Sequence, residues 1–199
     1  MSSGVVHLIG HGLSPLGRKW GSEIDSEPVV RLKNPAWQFS NHTDYGKRLD
    51  YMVASCETMM GMLEITKKPS CGYWAQPKKG YWNTQTESMF NQKSPDKHVK
   101  VQIALHNKWN PIFLDFHRKR NQIRECPNHS IGMAAITYIC EELRPSKIRL
   151  VGFDNLLNPN LKDYHKVERG KWTTFHDWHA ENDMLDVIRD EFKVEIGTW

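Results

Sequence analysis

The run Val5-Val6-His7-Leu8-Ile9 passes directly into Gly10-His11-Gly12-Leu13-Ser14-Pro15. A short apolar run rich in β-branched residues and closed by glycine reads as a buried strand of a parallel sheet. A glycine turn after such a strand is the usual way for an α/β protein to bring backbone N–H groups to a phosphate. The rest of the chain repeats the alternation. Val29 to Leu32 predicts a second strand and Leu49 to Ala54 a third, with a short helix over 57–63. Residues 73–75 read as a strand and 84–91 as a helix. The remainder of 66–97, rich in Lys, Pro, Gly and Asn, reads as an insertion or lid. Residues 98–105 fit strand or helix, and 111–120 a helix.

Ser130 to Leu143 is the clearest helix, with Ile131, Ala134, Ala135, Tyr138 and Ile139 on one face and Pro145 as its stop. Residues 147–153 predict a strand and 154–173 a polar loop. A second strong helix spans 180–192, with Met184, Leu185, Ile188 and Phe192 inward, and 194–196 closes as a strand. The expected fold is α/β: one domain over 1–199 with a mainly parallel central sheet covered by helices on both faces.

In such a sheet, ligands bind beyond the carboxyl ends of the strands. Gly10 to Pro15, Lys33-Asn34, Ser55-Cys56 and Asp154-Asn155 all follow predicted strands and open onto that edge. Pro127-Asn128-His129-Ser130-Ile131-Gly132 precedes a helix, so its N–H groups and the helix dipole suit an anion. A net charge of +4 and a pI near 8.8 favour an anionic ligand by steering. No Lys/Arg run is long, which disfavours nucleic acid as a partner. The densest basic stretch, His117-Arg118-Lys119-Arg120, reads as a solvated helix end. Eight tryptophans suit sugar or base stacking, and equally core and rim packing. Cys56, Cys71, Cys126 and Cys140 show no C-x-x-C spacing, so a zinc ribbon is disfavoured. Neither a signal peptide nor an apolar run of about 18 residues is present. A cytoplasmic chain with reduced thiols is the expectation.

Four segments in order carry a resemblance. They are Leu8-Ile9-Gly10-His11-Gly12; Glu23-Ile24-Asp25-Ser26 leading through Val29-Val30-Arg31-Leu32-Lys33-Asn34 to Asp44-Tyr45-Gly46-Lys47-Arg48-Leu49-Asp50; Pro127 to Gly132 followed by Val151-Gly152-Phe153; and Tyr164-His165 with His176 to Glu181. Together they resemble the sialyltransferases of glycosyltransferase family 29, whose large, small and two histidine-containing motifs follow this sequence of elements. Three positions depart from the family pattern. His11 replaces an asparagine, one extra residue separates Arg31 from Asn34, and the small motif is degenerate around Asn128-His129-Ser130.

The resemblance implies a Rossmann-like variant of the glycosyltransferase-A fold. It implies a CMP-activated sugar donor, sialic acid or another 2-keto acid sugar, and inverting transfer to a glycan hydroxyl without a cofactor or metal. By position, His176 is the general base, with His179 three residues on as the alternative, and His165 serves the departing phosphate. Gly10, His11, Gly12, Asn34, Ser130 and Gly132 line the nucleotide. Independently of the family, an imidazole titrating near neutrality suits proton removal from an attacking hydroxyl. Two other readings stay open at this point. One is a metal-dependent hydrolase using His176, Asp177, His179 and Glu181, because His176 and His179 have the i, i+3 spacing of two ligands. The other is a non-catalytic nucleotide- or glycan-binding module. Glu181 reads as a residue that orients the histidine loop or caps the helix.

Overall fold

The computed structural model describes residues 3–32, 41–56, 58–59, 72–77, 84–93, 99–120, 129–154 and 177–199. The strands are β1 (Ser3–Ile9), β2 (Val29–Leu32), β3 (Tyr51–Ser55), β4 (Gly72–Gln76), β5 (Val99–Val101), β6 (Pro145–Val151) and β7 (Glu195–Thr198). The helices are α1 (Gly21–Ile24), α2 (His42–Tyr45), α3 (Thr84–Lys93), α4 (Ile103–Arg120), α5 (Ile131–Glu142) and α6 (Trp178–Phe192). Among the described residues the strands form one sheet in the order β5-β4-β3-β2-β1-β6-β7, and every neighbouring pair is parallel.

The period of two along each strand divides the core between the sheet's faces. Val6, Leu8, Val30, Leu32, Val53, Trp74, Ile148, Leu150 and Ile196 share one face, packed with Trp109, Phe113, Tyr138, Met184 and Ile188 of the long helices. The intervening residues turn to the other face. Met52, Ala54, Tyr73 and Ala75 cluster there with Met59, Phe90 and Val99. Ile9, Val29 and Val151 pack with Ile24 of α1 and Tyr45 of α2. Helix α5 lies over the centre of the sheet, with α4 and α6 packed on it and against each other, and every residue from Gly132 to Cys140 is buried. A helix with small and apolar residues on all sides suits that enclosed position.

The expected α/β class, with a parallel sheet covered on both faces, is therefore the observed one. One detail differs from the sequence expectation. Helix α4 begins at Ile103 and runs through Pro111, because His106, Trp109, Asn110, Phe113 and His117 form a continuous buried stripe. Pro111 itself is exposed, where water can satisfy the carbonyl that loses its N–H partner. Within 66–97, β4 and α3 fall on the strand expected over 73–75 and the helix expected over 84–91; β4 pairs with both β3 and β5 inside the sheet, and α3 packs on β5. The rest of that segment lies mostly outside the described residues.

The chain steps from β1 outward to β5 and then returns to β6 on the opposite side of β1. Connections leaving β1 and β6 therefore diverge, and the carboxyl ends of these two strands flank the crevice of a topological switch point.

Candidate active site

The turns after β1 and β6 are sewn together along this crevice. The Gly10 N–H donates to Val151 O at 2.7 Å and the Gly12 N–H to Gly152 O at 2.7 Å. The N–H groups of Leu13 and Ser14 donate to Asp154 Oδ2 at 2.8 and 3.2 Å. A Cβ on Gly10 would stand 2.5 Å from Gly152 O, and one on Gly12 2.5 Å from the Asp154 carboxylate. Both glycines are thus set by close approach. Their N–H groups are committed to the seam, so the turn offers a ligand a thin backbone wall rather than free donors. His11 lies between them, half-buried.

Ser130 caps α5, its Oγ accepting the Met133 N–H at 3.2 Å. Its own N–H and O–H donate to Glu181 Oε1 and Oε2 at 2.6 and 2.8 Å. Glu181 is fully buried. Burial pushes its carboxyl from 4.5 up to about 7, against the pull of the two Ser130 bonds, and the nearby Asp177 charge adds to the rise. Gly132 faces Phe153, since a Cβ there would lie 2.9 Å from the ring. The same ring would be 2.8 Å from a Cβ on Gly10. Phe153 therefore joins the first turn, the second turn and the start of α5. The His129 N–H donates to Asn110 Oδ1 at 3.3 Å, and Gln76 at the end of β4 donates to His129 O at 3.1 Å.

Asp177 caps α6. Its Oδ1 accepts the Ala180 N–H at 3.1 Å, and its Oδ2 lies 2.8 Å from His117 Nδ1. One turn later Glu181 reaches Ser130, so the starts of α5 and α6 are tied together beside Phe153. His179 is exposed on the first turn of α6. Of the residues read from sequence as site members, the structure gathers Gly10, His11, Gly12, Ser130 and Gly132 at one edge. Asn34, His165 and His176 lie outside the described residues. Among the described residues no group of three or more His, Cys, Asp or Glu is arranged to hold a metal ion. No described helix is long and apolar enough to cross a membrane.

The acidic residues of the long second segment anchor backbone. Asp25 accepts the N–H groups of Lys47 and Arg48 at 2.9 and 2.8 Å. Asp44 accepts those of Gly17 and Lys19 at 2.8 and 2.9 Å, which hold its carboxyl below the usual range. Asp50 accepts the Val29 N–H at 2.7 Å. Arg31, 2 % exposed, donates to the carbonyls of Arg48 and Tyr45, each at 2.8 Å. Tyr45 OH in turn donates to Gly12 O at 2.9 Å. These bonds brace the glycine turn from behind. Asp154, Phe153 and His117 were not among the sequence-derived site residues. The position of Phe153-Asp154 at the end of a strand pointed toward the first two, and Phe153 also closes one of the segments that carry the resemblance.

No family model matches this sequence, and neither does any curated protein. Solved structures do match. The sialyltransferase CstII from Campylobacter jejuni, in complex with cytidine-5'-monophosphate, superposes with a TM-score of 0.60 at 13 % identity, over 100 % of this chain and 80 % of that one. CST-II with a trisaccharide acceptor and CMP gives 0.57 at 13 % identity, over 98 % and 80 %. A mammalian sialyltransferase in complex with Gal-beta-1-3GalNAc-ortho-nitrophenol gives 0.56 at 15 % identity, over 98 % and 69 %. At these identities the likeness establishes the fold, which is sialyltransferase-like.

Proposed function

We propose that this chain is a glycosyltransferase that moves sialic acid or a related 2-keto acid sugar from a CMP-activated donor to a glycan hydroxyl. The observation that carries the reading is the reversal of strand order between β1 and β6, in a fold that matches sialyltransferases solved with CMP over 98 to 100 % of this chain. In this reading the nucleotide lies across the carboxyl ends of β1 and β6. Gly10, His11 and Gly12 supply one wall, Asn34 is the contact the resemblance implies two residues past β2, and the α5 start with Ser130 and Gly132 closes over it. Because both Ser130 donors are held by Glu181, the contribution of Ser130 is to shape that wall and fix the helix start.

The chemistry follows from what transfer requires. The acceptor hydroxyl gives its proton to the His176 imidazole as its oxygen attacks the anomeric carbon. The bond from that carbon to the phosphate oxygen breaks on the opposite face, which inverts the centre. CMP departs with its new charge met by His165 and by the dipole of α5. The test is transfer from CMP-sialic acid or CMP-Kdo to a glycan by the purified protein. The reading expects His176→Ala to abolish transfer while CMP still raises the melting temperature. Stabilisation by UMP or GMP but not CMP would refute the donor. Unchanged transfer in His176→Ala would refute the base.

A further inference from the structure

We infer that His117, acting through Asp177, is a positioning residue for the histidine at 176; this rests on the reading of His176 as the base. An N-cap needs one side-chain acceptor, and Asp177 Oδ1 meets that need at Ala180. Its second oxygen reaches back 60 residues to His117 Nδ1 at 2.8 Å. The two side chains are only 7 % and 5 % exposed, so the contact is made away from water. A buried charged acceptor that loses its donor is costly, which makes the pair a strong constraint on the start of α6.

The donor side is held as firmly. The His117 ring stacks on Phe113 with centroids 6.0 Å apart. Three residues on, Arg120 grips Asp183 of α6 through two bonds of 2.7 Å. The last turn of α4 therefore meets the first two turns of α6 at two points, one buried at Asp177 and one at the surface at Asp183. Covalent geometry holds the Cα of residue 176 about 3.8 Å from that of Asp177. Slack at Asp177 is therefore slack one residue from the proposed base. A misplacement on the order of 1 Å at a reacting group costs about 100-fold in rate.

Two variants separate positioning from simple support. His117→Leu keeps apolar packing on Phe113 but has no donor. His117→Asn keeps an amide N–H close to where Nδ1 stands. We expect His117→Leu to lose about 100-fold in kcat, with donor KM and CMP-induced stabilisation unchanged, and His117→Asn to recover most of the loss. Hydrogen exchange at the Ala180 and Glu181 amides should quicken in His117→Leu alone. Wild-type kcat in His117→Leu overturns the inference. So does a joint collapse of kcat, KM and stability that His117→Asn fails to rescue. If the wild-type protein neither binds CMP nor transfers, the transferase reading fails by itself. The exchange result then still decides the clasp: faster exchange at 180 and 181 supports it, and unchanged exchange removes it.

Discussion

Replacing Glu181 by glutamine should invert the usual penalty for changing a buried ionisable residue. Glu181 is fully buried and holds both donors of Ser130. Its carboxyl titrates near 4.5 when unfolded and at about 7 when folded. Between those values the folded state keeps a proton that the unfolded chain has already released. Stability therefore falls as pH rises through that window and levels off above it. The full drop from this residue is about 3 kcal/mol at 1.36 kcal/mol per pH unit of separation. Glutamine has the same shape and no titration. Its Oε1 can accept the Ser130 N–H, and its amide can donate to Ser130 Oγ, which is both donor and acceptor. Urea unfolding, followed by tryptophan fluorescence from about pH 4.5 to about pH 8, measures the difference between wild type and Glu181→Gln. The variant should gain on wild type by about 3 kcal/mol across the range, equivalent to about 6–12 °C in Tm for a domain of this size. A difference independent of pH, or one running the other way, would mean that the Ser130 bonds outweigh burial and the carboxylate is ionised in the folded protein.

Gly12→Ala places a methyl carbon 2.5 Å from the Asp154 carboxylate. The side chain of Asp154 must swing away from Leu13 and Ser14, and the CMP-dependent rise in Tm should be lost while far-UV circular dichroism is kept. Arg31→Met fills the volume but removes the guanidinium donors to the carbonyls of Arg48 and Tyr45. Losing both donors at these buried acceptors costs about 2–4 kcal/mol, seen as a Tm drop of about 4–16 °C. Cys56 and Cys140 are buried, with burial raising their thiols to about 11 and about 12. Peptide mapping after thiol labelling should find both unmodified in the native protein and both modified in urea.

The parallel sheet was legible because Val5 to Ile9 and Val29 to Leu32 are short, mostly apolar runs bounded by turn residues, and Ile148, Leu150 and Val151 mark a third strand of the same kind. Helices α5 and α6 were legible from their apolar spacing. The start of α4 was not, because Pro111 masks a buried stripe that begins at His106. The site was legible as a set of turns on one edge, but not in its bonding. Nothing near Gly12 in sequence tells that its N–H meets the carbonyl of Gly152, or that Ser130 gives both donors to a carboxylate 51 residues away. Such pairings are set by which helices the sheet brings side by side. For the same reason His117, placed by spacing on a basic and solvated helix end, proves to be buried against Asp177.

The location of bound nucleotide tests the account most directly. A crystal of this protein soaked with CMP should show the base, ribose and phosphate across the carboxyl ends of β1 and β6. They should lie against the turn from Gly10 to Ser14 and the start of α5. CMP seated at the amino edge of the sheet, or absent from the crevice at saturating concentration, would contradict it.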